Sequence, residues 1–199
     1  MGEGGVAPDQ KKTARLKAYL VFLDESGLML APLLRRTWAP RGETPLFRES
    51  GRYRQKISAI AALTISPVRR RVRLYFALYP NENIRSQHVI AFLRDLANHL
   101  RRPIMLIWDR LNVHRSRAVW EFFVNRSEFY VSYLPPYAPE LNPVEGVWGY
   151  LKGNPLANFS PGDIYELERE ATCHGREIGR SPELLRSFLR GTPLFSGPI

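Results

Sequence analysis

Apolar positions in this chain follow two periods, continuous or alternating runs in some stretches and spacings of three and four in others. The run Tyr19-Leu20-Val21-Phe22-Leu23 is short, continuous and rich in strand formers, and Asp24-Glu25-Ser26-Gly27 closes it; this is the pattern of a buried strand with a polar exit. Residues 56–65 and 71–79 are two further strand candidates, and Ser66-Pro67-Val68-Arg69-Arg70 between them suits a hairpin. Three antiparallel strands are therefore expected first. Over residues 88–100 the period changes. Val89, Ile90, Phe92, Leu93, Leu96 and Leu100 fall three and four apart, which makes an amphipathic helix able to cover one face of a sheet.

Ile104-Met105-Leu106-Ile107-Trp108 is again continuous, as in strands covered on both faces. A loop with His114 leads to a helix over 117–125 that buries Val119, Phe122 and Phe123, and residues 130–134 form the fifth strand. Asn142 then caps a helix with Pro143 in its first position, where no amide hydrogen is needed, and residues 144–152 continue it. Two packing helices follow, one opened by Ser160-Pro161-Gly162-Asp163, the other by Ser181-Pro182-Glu183 and stopped by Gly191. Three strands, helix, strand, helix, strand, helix make an α/β chain: a mixed five-stranded sheet, three antiparallel strands then two parallel, flanked by helices.

With 199 residues, 44% of them hydrophobic, the chain is long enough for one substantial core. Residues 1–17 are expected to be a flexible tail and residues 18–199 a single domain. The 29 Lys and Arg against 19 Asp and Glu give a formal charge of +10, which points to a polyanionic partner, nucleic acid first, with a merely solubilising basic surface as the plainer alternative. A single cysteine, Cys173, excludes an internal disulfide and suits a reducing compartment, the cytoplasm by default. Cys173 and His174 are adjacent, a poor spacing for a metal site. No apolar run reaches the roughly 20 residues of a membrane span, so no membrane partner is expected.

Three carboxylates stand where the pattern changes. Asp24 and Asp109 each follow an apolar strand, and Glu145 sits in the first turn of the helix capped by Asn142. Each has a plainer reading: strand ends favour Asp in turns, and the helix dipole favours an acid in the first turn. Taken together they are expected to converge on divalent cations, Asp24 bridging two of them, because phosphodiester cleavage needs hard, oxygen-bound ions on both sides of the scissile phosphate. Glu25 should point to the opposite face from Asp24 and stay outside the site. Glu140 competes with Glu145 but lies in a proline-rich loop. His114 either orients a water or the leaving group, or bonds backbone.

Arg35, Arg36 and Arg41 with Trp38 form a basic segment ending in Pro40 and Gly42. It suits a phosphate backbone, with Trp38 stacking on a base or packing into the core. Lys152, two helical turns after Glu145, is placed to neutralise a phosphate. Arg69, Arg70, Arg71 and Arg73 either touch phosphate or keep strand edges from aggregating.

Four blocks carry a resemblance: Phe22-Leu23-Asp24-Glu25-Ser26-Gly27; Arg36-Thr37-Trp38-Ala39-Pro40-Arg41-Gly42; Trp108-Asp109 followed by His114; and Leu134-Pro135-Pro136-Tyr137-Ala138-Pro139-Glu140-Leu141-Asn142-Pro143-Val144-Glu145 with Trp148, Leu151 and Lys152. Over residues 19–152 the chain resembles the DDE-type transposase catalytic domain, more narrowly the DDE superfamily endonuclease of the bacterial insertion-sequence branch of the mariner-like superfamily. That resemblance implies a ribonuclease-H-like fold, Mg²⁺ or Mn²⁺ (two ions), and Asp24, Asp109 and Glu145 as the catalytic and metal-binding triad.

It also implies DNA, both element ends and target, as partner, in hydrolysis followed by strand transfer by the freed 3′-hydroxyl. Thirty-five residues separate Asp109 from Glu145, one more than is usual in that branch, and Arg110 stands where many relatives have Asn. Such transposases recognise element ends with an N-terminal helix-turn-helix region, which is expected here on a separate segment or product. A homodimer and a bacterial cytoplasmic location complete the expectation. Two other functions fit the same residues: a catalytically silent DNA-binding or assembly module, and a ribonuclease-H-like nuclease that cleaves without joining.

Overall fold

The computed structural model describes residues 15–31, 33–43, 55–68 and 70–195. Five strands, β1 (Tyr19–Met29), β2 (Lys56–Ile65), β3 (Val72–Pro80), β4 (Ile104–Trp108) and β5 (Phe129–Tyr133), form one sheet in the order β3-β2-β1-β4-β5. The first three are antiparallel and β1-β4-β5 are parallel. The helices are α1 (Ser86–Leu100), α2 (Arg117–Val124), α3 (Pro143–Gly153), α4 (Ile164–Gly179) and α5 (Pro182–Arg190). The sheet type and element order match the expectation. Residues 1–14 of the expected tail, residues 44–54 and Arg69 lie outside the described residues.

Strand alternation divides the core into two layers. Leu20 and Phe22 of β1, with Met105 and Ile107 of β4, meet Val147, Trp148 and Leu151 of α3 and residues of α4 and α5. Val21, Leu23, Leu106 and Trp108 face α1 and α2 through Leu93 and Val119. All five β4 residues are buried because strands flank β4 and helices cover both its faces. Gly146 permits the α3–α5 contact, since a Cβ there would lie 3.1 Å from the Phe188 ring.

One boundary differs in a way that matters. β1 does not end at Leu23 but runs to Met29, because β2 stays paired with it through Asp24–Ala61, Glu25–Ile60, Ser26–Ala59 and Gly27–Ser58. The turn-like composition of Asp24-Glu25-Ser26-Gly27 yields to that ladder. β4, by contrast, leaves β1 after the Phe22–Ile107 pair. Asp24 therefore stands mid-strand, where the sheet opens on one side.

Candidate metal centre

Carrying the parallel register two residues past Phe22–Ile107 sets Asp24 level with Asp109, which follows the last residue of β4. The two acids lie on adjacent strands where the strands part. Helix α3 is then fixed across this opening at two points. Asn142 caps it, its Oδ1 accepting from Val144 N at 3.2 Å, while its Nδ2 donates to the Leu23 carbonyl at 3.1 Å. Six residues on, Trp148 Nε1 donates to Asp24 Oδ2 at 3.0 Å. Glu145, between these anchors, is exposed in the first turn of α3.

Asp24 is only 7% exposed. Burial, and then the charges of Glu145, Glu25 and Asp109, push its carboxyl up to about 8, against a small lowering by the Trp148 hydrogen bond. Mutual repulsion among four carboxylates is what a cation would relieve. Asp109 behaves oppositely. Burial would raise it, but hydrogen bonds from His114 and from Leu111 N, with the charge on His114, outweigh burial and lower it. Among the described residues, no three His, Cys, Asp or Glu side chains stand close enough to form a ready-made metal cage.

One expectation needs correction. Glu25 does point away from Asp24, yet it is coupled to the site: His114 joins Glu25 Oε1 at 2.8 Å through Nε2 and Asp109 Oδ1 at 2.9 Å through Nδ1. Alternation decided its face, but the loop after β4 folds back over the strand ends and brings His114 to it. The useful signal was the acid beside Asp24 together with a histidine five residues after Asp109. His114 bonds backbone, as its plainer reading has it, and holds two carboxylates as well. Its Nδ1 lies 3.2 Å from the Asp109 carbonyl, its ring stacks on Trp108 at 4.0 Å, and it is buried. Burial would lower the imidazole, but bonds and charges from Asp109 and Glu25 dominate and push it up to about 9.

Trp38 is fully exposed, which excludes core packing, one of its two readings, and leaves stacking. Its segment forms a strap held at Leu33 and Arg35: Asn158 N donates to the Leu33 carbonyl at 3.0 Å, and Arg35 N donates to Asn158 Oδ1 at 2.7 Å. The Arg35 guanidinium lies over Gly153, where a Cβ would come within 2.7 Å. Arg36 and Arg41 are exposed. Lys152 Nζ donates to Ser26 Oγ at 2.7 Å, placing its ammonium beside β1 just beyond Asp24 and Glu25. Glu140 is exposed in a single 3-10 turn, Pro139–Leu141, and Arg110 lies over the Tyr133 ring at 5.9 Å. His174 pairs with Glu177 at 2.8 Å on α4.

The model of the DDE superfamily endonuclease family matches residues 19–168. The chain belongs to that family. Among solved structures it is similar to Mos1 transposase in a paired-end complex with the left transposon end, with TM-score 0.65 and 16% identity over 94% of this chain and 55% of the other. It is also similar to the Mos1 mariner paired-end complex with Mn, at TM-score 0.59 and 17% identity over 97% and 60% of the two chains.

The catalytic domain of Mos1 mariner transposase matches with TM-score 0.53 and 16% identity over 96% of this chain and 89% of that one. The fold is thus the ribonuclease-H-like one of transposase catalytic domains. The chain spans little more than half the length of the paired-end Mos1 chains. No protein of curated function matches it by sequence.

Proposed function

We propose that this chain is the catalytic core of a DNA transposase, a metal-dependent endonuclease that cuts and then joins DNA strands. The observation that carries the reading is the register that levels Asp24 with Asp109 beneath a helix pinned by Asn142 and Trp148, with Glu145 in its first turn. Family membership supports it. The donor set fits Mg²⁺ or Mn²⁺: the acids offer hard oxygens, and their charges repel one another around Asp24. Asp24, Asp109 and Glu145 would hold the ions, two by the demands of in-line displacement, and the bound metal would supply Lewis-acid polarisation of the phosphate and an activated nucleophile.

The chain's own residues do the rest. The Trp148 indole holds Asp24 Oδ2 in place, and His114 fixes the orientation of Asp109 from its stack on Trp108. Glu145, exposed in the first turn of α3, would supply the third carboxylate. Lys152 and the strap with Arg35, Arg36, Trp38 and Arg41 provide cations and one exposed ring for the DNA strand. DNA is the partner in this reading, as transposon ends are for Mos1. Recognition of the element ends falls to a helix-turn-helix region or a separate DNA-binding product. Pairing of two ends calls for a homodimer, working in the bacterial cytoplasm.

The test is Mn²⁺-dependent nicking of supercoiled plasmid, together with joining of a precut duplex carrying a 3′-hydroxyl. Wild type should do both, and Asp24→Asn, Asp109→Asn and Glu145→Gln should each abolish both. Nicking without joining would leave a nuclease. DNA binding with neither reaction would leave an assembly module.

A further inference from the structure

At the pole of the sheet opposite the carboxylates, basic side chains surround an open cleft of about 340 Å³. Tyr19, at the start of β1, is its floor. One lip is the β2–β3 turn with Ser66 and Arg71 and the start of β3 with Arg73, and the other carries Arg102 from the α1–β4 connection. Backbone bonds fix both lips. Ser66 N donates to the Arg71 carbonyl at 2.9 Å and Arg71 N donates to Ser66 Oγ at 3.0 Å, while Tyr19 N donates to the Pro103 carbonyl at 2.8 Å.

None of Arg71, Arg73 and Arg102 has a carboxylate partner among the described residues, and all three are exposed. Glu128, beside the start of β5 at the same pole, is already paired with Arg126 at 3.0 Å. The backbone adds an independent observation. Six described residues other than glycine have positive φ, and three of them are basic: Lys17 at +49°, Arg70 at +44° and Arg101 at +51°. All three lie at this pole, before β1, in the β2–β3 turn and at the end of α1. Left-handed backbone is cheapest for glycine or asparagine. Long cationic side chains held there against that preference ask for a function. Arg101 spends its guanidinium partly on the Asn98 carbonyl, 3.3 Å away; Lys17 and Arg70 are exposed along the rim.

We propose that this pole is a second DNA-backbone site, which grips a stretch of duplex other than the one presented to the carboxylates. Planar guanidinium forks match phosphate oxygens, and the basic rim prolongs the cleft into a strip, which suits a polymer rather than a single anion. Asp24 is five steps along β1 from Tyr19, about 17 Å at strand rise. The two sites open at opposite ends of the parallel strands. The site needs no metal, and its test is independent of the catalytic reading.

The experiment measures binding of a duplex two helical turns long by fluorescence anisotropy, in EDTA, across a range of salt. Each phosphate contact contributes about 0.9 to the slope of log K against log salt. The triple variant Arg71→Gln, Arg73→Gln, Arg102→Gln should lower that slope by roughly 2 to 3, in the wild-type and in the Asp24→Asn background alike. A control, Arg176→Gln, Arg180→Gln, Arg190→Gln, removes the same charge from exposed positions in and just after α4 and at the end of α5 and should leave the slope within about 1 of wild type. An unchanged slope in the first variant, or an equal fall in the control, overturns the proposal. So does complete displacement of the duplex by millimolar inorganic phosphate at constant ionic strength, which would mark a small-anion pocket.

Discussion

Trp148 and Asp24 are 124 positions apart in sequence, and the indole of one donates to the carboxyl of the other at 3.0 Å inside the protein. That bond ties the helix bearing Glu145 to the strand bearing Asp24. Trp148→Phe keeps most of the packing and removes the donor, leaving a buried oxygen unsatisfied. Stability should fall by about 1–2 kcal/mol in urea denaturation, and Mn²⁺ affinity, read from the EPR signal of free Mn²⁺, should fall with it. Unchanged values of both would mean the bond positions nothing.

The metal-free protein should lose stability as pH rises from about 4 to about 9. Asp24 is raised in the fold from 3.8 to about 8, so the folded state binds the extra proton. Its contribution is complete below 3.8 and is lost as pH climbs through about 8. His114, raised from 6.5 to about 9, acts in the same direction: its contribution is complete below 6.5 and disappears through about 9. Asp109 is lowered and opposes this only in acid, where its contribution is lost as pH falls. Thermal melts in EDTA across this range check the trend. Asp24→Asn should flatten the slope between pH 4 and 8, and Mn²⁺ should stabilise the wild type more at pH 8 than at pH 5, because its binding releases the proton.

Glu25→Gln and His114→Gln remove the support behind Asp109 without touching its carboxylate. Partners that orient a metal ligand are worth about 10–100-fold in metal affinity. Each variant should therefore weaken Mn²⁺ binding within that range and retain some nicking at saturating metal, unlike Asp109→Asn. Calorimetric titration separates the cases. Wild-type affinity in both variants would reduce the Glu25–His114–Asp109 chain to a structural contact.

The fold was legible because local pattern and tertiary environment agree. β2 and β4 have the boundaries read from their apolar runs, Lys56–Ile65 and Ile104–Trp108, and α3 begins where Asn142 and Pro143 place it. The reading failed where long-range pairing outweighs composition. Asp24-Glu25-Ser26-Gly27 looks like a turn, and only the β2 ladder makes it strand. Asp109 and Glu145 stand at the strand end and helix start where the pattern put them, whereas Asp24, read at a strand exit, stands mid-strand. Glu25 was not legible, because alternation gives the face of a strand residue and says nothing of a loop returning over the strand end with His114. Nor does sequence distinguish an aromatic in the core from one on a strap, and Trp38 is on the strap.

The most direct measurement is anomalous diffraction from a crystal soaked in Mn²⁺. The expected result is one or two peaks bounded by oxygens of Asp24, Asp109 and Glu145, at roughly 2.0–2.3 Å as for hard divalent cations, with Glu145 drawn in from the mouth. No peak at a Mn²⁺ concentration that supports nicking, or a peak held by other residues while Asp24 stays protonated against Trp148, would contradict it.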